Sequence, residues 1–77
     1  MDKGAVVTLN DDKNYIVVSS MIIEGVNFFY LVEQENPDKI KFCGQANDER
    51  LLPVDDLGLK LLILDKFIVK MQNEVTV

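Results

Sequence analysis

The residue pattern predicts an α+β fold, an antiparallel β-meander of four to five strands with one C-terminal helix packed on it. Three observations carry that prediction. The runs YIVVSSMII and FFYLVE, residues 15–23 and 28–33, are filled with β-branched and aromatic residues and joined by a short Gly-containing turn. Clusters of Asn, Asp, Gly and Pro recur between the apolar runs, as the turns of a meander require. The last run opens on Asp55-Asp56 and repeats leucine at helical spacing.

The first strand is expected over residues 5–9 (AVVTL), after a frayed start at 1–4. Asn10 to Asn14 form a polar turn of residues that bond their own backbone and accept left-handed conformations. The second strand, 15–23, and the third, 28–33, make the central hairpin around Glu24 to Asn27. Gly25 supplies the positive φ a tight turn needs. With Glu24 opposite Asn27, Ile23 faces Phe28, Met21 faces Tyr30 and Ser19 faces Val32. Val17, Met21, Ile23, Phe28, Tyr30 and Val32 then share one face. Ile16, Val18, Ile22, Phe29 and Leu31 share the other. Both faces are apolar, so each needs a cover. Ser19 and Ser20 interrupt the second strand as hydroxyls that relieve stickiness or mark a bulge.

Asn36-Pro37 marks the next turn, and the fourth strand follows over 40–43 with Ile40 and Phe42 inward. A fifth strand over 50–54 belongs at an edge, because Pro53 has no N–H for a ladder. Asp55-Asp56 then caps a helix over 56–72, and 73–77 form a tail. Leu57, Leu61, Leu64, Ile68 and Met71 recur at spacings of four and three and are expected to face the sheet. One helix covers one sheet face but not two. The second face is closed by curling of the sheet into a small half-open barrel, by self-association or by a partner.

Seventy-seven residues make one domain, with nearly half the chain hydrophobic. Thirteen acids stand against eight Lys and Arg, and the basic residues are scattered. Nucleic-acid binding needs clustered cations at phosphates, so direct binding is not expected. The lone Cys43 cannot form an intramolecular disulfide and reads as a small buried hydrophobe. No signal peptide is visible at the start, and charges interrupt the apolar run 57–71, so neither secretion nor membrane insertion is expected. The expected compartment is the cytoplasm.

The absence of His removes the commonest near-neutral base and most zinc sites. The acid pairs Asp11-Asp12, Asp48-Glu49 and Asp55-Asp56 suit turns and a helix cap, and the four glycines form no phosphate-cradling motif. No catalytic, cofactor-binding or metal-binding residue is therefore expected, nor any small-molecule substrate. The expected partner is a protein, or a second copy in a weak homo-oligomer. The contact surface expected for it is Ile16, Val18, Ile22, Phe29 and Leu31.

The order G-x-V-V-T-L, polar turn, Y-I-V-V, E-G turn, F-F-Y-L-V, N-P, I-x-F-C, L-x-P-V and helix spans residues 4–71. It resembles the short acidic uncharacterised proteins of low-GC Gram-positive bacteria and their mobile elements, domains of unknown function built from a β-meander and a C-terminal helix. The resemblance implies a bacterial setting and no particular site residue. Two roles follow as expectations. One is a non-catalytic interaction or accessory module. The other is a mobile-element inhibitor whose acidic surface blocks a basic site on a nucleic-acid-binding host protein, which needs Asp11, Asp12, Glu35, Asp38, Asp48 and Glu49 on one side.

Overall fold

The computed structural model describes residues 2–75, and the side chains of 2–73. Its elements are β1 (Val6–Thr8), β2 (Asn14–Ile23), β3 (Val26–Glu33), β4 (Ile40–Gln45), β5 (Leu51–Pro53) and α1 (Leu57–Val75). The strands form one antiparallel sheet in the order β1-β2-β3-β4-β5, curled as a half-barrel, and α1 packs on it. The fold is α+β, and β5 lies at an edge as Pro53 requires. The N-terminal segment is tied down, since Gly4 N–H donates to Val17 O at 2.8 Å. The helix runs on to Val75, through most of the expected tail. Residues 1, 76 and 77 lie outside the described residues.

Local chemistry sets the central turn. Glu24 and Gly25 both have positive φ, 51° and 80°, and Ile23 pairs with Val26. This is the two-residue loop whose twist matches its strands. The pairing expected from sequence would shift the loop to Gly25-Val26, and the type I′ turn needs positive φ at its second central position too, which β-branched Val26 strongly disfavours. The ladder therefore shifts so that Met21 faces Phe28 and Ser19 faces Tyr30. Five of the residues assigned to one face, Met21, Ile23, Phe28, Tyr30 and Val32, remain together.

A bulge between Val17 and Ser19 changes the rest. One extra residue exchanges the faces of everything before it. Val17 consequently joins Phe29 and Leu31, while Ile16 moves opposite Val32 on the helix side. The expected grouping is reversed for both residues.

Each face has its own cover. On the face away from the helix, Tyr15, Val17, Phe29, Leu31 and Cys43 are buried with Leu9, and Ala5, Val7 and Leu51 pack over them. The chain closes that face itself by curling. On the other face, Phe42, Val54, Ile63 and Phe67 form a second core with Met21, Ile23, Phe28, Tyr30, Leu64 and Met71. Phe67 stacks on Phe42 at 5.8 Å between centroids and meets Tyr30 edge-on at 5.8 Å.

That aromatic contact sets the rotation of the helix. Ile63 and Phe67 are fully buried, while Leu57, Leu61 and Ile68 face outward. The expected inward stripe is thus rotated, and only Leu64 and Met71 of it touch the core. Burying a phenyl ring between two others outweighs burying another leucine. At the helix start, Asp56 Oδ1 accepts from Leu59 N–H at 3.0 Å, as an N-cap does.

Candidate interaction surface

The helix lies across the strands. Its N-terminus follows β5 at one edge of the sheet, and Lys70 Nζ donates to the Ser20 carbonyl in β2. Its buried stripe sits on Tyr30 and Phe42, leaving sheet on both sides.

Toward the hairpin tip, Ile23, Val26 and Phe28 face Leu59, Leu62 and Val69 across an open groove rimmed by Glu24, Asp65 and Lys66. On the opposite side, direct cross-strand pairs join Val6 to Ile16, Ile16 to Val32 and Val32 to Ile40. These four β-branched residues make one unbroken row across four strands, on the helix-bearing face. α1 does not cover the row, and its ends Val6 and Ile40 are 53% and 50% exposed. The helix flank on this side carries Leu57, Leu61 and Ile68, exposed by 70%, 58% and 42%. At 100° per residue they lie across the buried stripe from Leu62 and Val69. Row and flank together form an apolar shelf, the row its floor and the helix its wall.

Of the residues expected to form a contact surface, the structure brings few together. Ile16 lies in the floor of the shelf, and Ile22 stands exposed at the hairpin tip on the face away from the helix. Val18 is the half-buried bulge residue. Phe29 and Leu31 are buried beneath the curled sheet and cannot meet a partner in the folded chain. Sequence reading passed over Val6 and turned Ile40, Leu57, Leu61 and Ile68 inward, whereas Ile40 stands half exposed at the end of the row and only Phe42 of its strand's expected inward pair is buried. The signal was nonetheless visible, because the spacing of Leu57, Leu61, Leu64, Ile68 and Met71 is also that of a coiled-coil seam.

A polar cluster stands at the loop end of the other face. Tyr15 Oη donates to Asp11 Oδ2 at 2.6 Å, and Lys41 Nζ lies 3.5 Å from the same oxygen and 5.4 Å from the tyrosine centroid. The Tyr15 hydrogen bond leads in holding Asp11 below the usual carboxylate range, and the same bond raises Tyr15. Burial alone would lower Lys41, but Tyr15 and Asp11 together outweigh it and raise its pKa. These groups satisfy one another and pin the β1–β2 loop to β4. Nearby Glu33 is buried with Oε1 3.8 Å from Lys13 Nζ, while Oε2 has no hydrogen-bond partner. Among the described residues, no three His, Cys, Asp or Glu converge as metal ligands.

The acidic loops divide between the two ends of the sheet. Loops 9–13 and 34–39 share one end, joined by Gln34 N–H donating to Asn14 O. They carry Asp11, Asp12, Glu35 and Asp38, interspersed with Lys13 and Lys39. Asp48 and Glu49 lie in the β4–β5 loop at the opposite end, where Arg50 pairs with Asp48. No helix among the described residues is long and apolar enough to cross a membrane. No protein-family model, curated protein or solved structure matches the chain.

Proposed function

We propose that this chain is a small non-catalytic interaction or accessory module of the cytoplasm, working through the apolar shelf beside α1. One observation carries the reading. A helix that already buries Ile63 and Phe67 keeps a second row of large apolar residues in water, next to a β-branched row exposed at both ends and half-buried between them. Exposed patches of several large apolar side chains are uncommon on solitary domains and usually mark contact sites. The acidic-surface inhibitor reading draws no comparable support, because its six carboxylates are split between opposite ends of the sheet.

Affinity capture with wild type and Leu61→Glu as parallel baits tests the proposal. Leu61 is exposed, so the substitution is expected to leave the circular dichroism spectrum unchanged. A protein retained by wild type and lost by the variant is the expected outcome. Equal retention by both baits would contradict a role for the shelf.

A further inference from the structure

Resting on that reading, we infer that the occupant of the shelf is a second copy of this chain, in a reversible two-fold dimer. The ridge formed by α1 of each copy lies on the β-branched floor of the other. Shape is the first argument. A closed two-fold contact needs one patch that fits itself, and the shelf holds both halves of such a fit. Its wall is a helix ridge about 10 Å across, and its floor spans four strands, roughly 14 Å. The floor can therefore seat one helix beside α1, and Leu57, Leu61 and Ile68 occupy the positions of a heptad seam, the pattern that packs helix against helix.

Charge is the second argument. The chain carries a net charge of −5, yet Val6, Ile16, Val32, Ile40, Leu57, Leu61 and Ile68 bring no charge to the shelf. Two copies meeting there bring together the part of their surfaces with least repulsion, whereas a basic partner would be drawn to the acidic loops. The sheet edges offer a poorer route, since β1 and β5 are three residues each and β5 ends in Pro53. Area sets the strength. Five residues exposed by 42–70% offer roughly 500 Å² per copy, well short of the ~800 Å² per partner in stable complexes. The dimer is therefore weak and concentration-dependent, and added salt strengthens it by screening the like charge of the two copies.

Sedimentation equilibrium from low to high micromolar protein tests this, alongside fluorescence of an apolar dye. Wild type is expected to pass from monomer towards dimer mass. Leu61→Glu on the wall and Ile40→Lys on the floor are each expected to weaken association by about tenfold or more, whereas Ile22→Lys at the hairpin tip leaves it unchanged. The floor variant matters because pairing through the helix alone would not respond to it. A monomer at every concentration that still binds dye, with binding lost in Leu61→Glu, would overturn the second copy and leave the interaction reading standing. A monomer that binds no dye would overturn both. Association sensitive to Ile22→Lys but not to the two shelf variants would move the contact to the hairpin tip and overturn the inference.

Discussion

Cys43 sits on β4 with no exposed surface, and burial pushes its thiol up from the usual 9.0 to about 11. The folded chain therefore holds this proton to higher pH than the unfolded chain does. Stability is expected to fall as pH rises from about 9 towards 11, and Cys43→Ala should lessen that fall. Chemical denaturation at stepped pH measures it. A thiol reagent at neutral pH should label the native chain only at the rate of opening, and immediate labelling would contradict the burial. Glu33 presents the opposite problem, a buried carboxylate oxygen without a partner. Leaving such a group unsatisfied costs about 1–3 kcal/mol, and its ion pair with Lys13 is long and partly exposed. Glu33→Met should therefore raise the denaturation midpoint, and a marked loss of stability would mean that the Lys13 pair is worth more than its geometry suggests.

At the scale of elements, the helix shows where sequence reading succeeds and where it stops. Its start was legible because Asp56 before an apolar run is a local capping signal, and local chemistry decides a cap. Its rotation was not, because almost every position from Leu57 to Met71 that is not charged is apolar. A helix apolar nearly all round has several candidate inward stripes, and the ring contacts of Phe67 with Tyr30 and Phe42 choose among them. Those contacts link residues far apart in the chain. Phe67→Ala should accordingly cost about 3–5 kcal/mol, a large share of the roughly 4–12 kcal/mol available to so small a domain. Leu61→Ala should change stability by less than about 0.5 kcal/mol, because its side chain already stands in water. Denaturant titration of the two variants compares them directly. The hairpin divides in the same way. Gly25 announced the turn, but the bulge near Ser19 was legible only as one reading of a polar break, and it exchanges Ile16 with Val17 between faces.

For the whole molecule, two apolar sheet faces and one helix were legible in composition and order, and so was the need for a second cover. The sheet supplies it by curling, with Leu9, Ala5, Val7 and Leu51 packed over Val17, Phe29 and Leu31. That closure takes Phe29 and Leu31 away from any partner and leaves the surplus apolar surface on the helix side. The candidate site was thus half legible. The excess of apolar residues was plain from composition, whereas its position depended on a bulge and a helix rotation that only tertiary packing sets. Hydrogen exchange should find the strongest protection in β2 and β3 around Val17 and Leu31, since both faces of that hairpin are covered.

The central claim is that Ile63 and Phe67 face the sheet, so that Leu57, Leu61 and Ile68 are free to meet a partner. Nuclear Overhauser contacts between helix side chains and the rings of Tyr30 and Phe42, recorded on dilute monomer, test it most directly. The account predicts strong contacts from the Phe67 ring and the Ile63 methyls, with none from Leu57 or Leu61. Contacts from Leu57 and Leu61 to those rings, with Phe67 silent, would place the seam inward and contradict it.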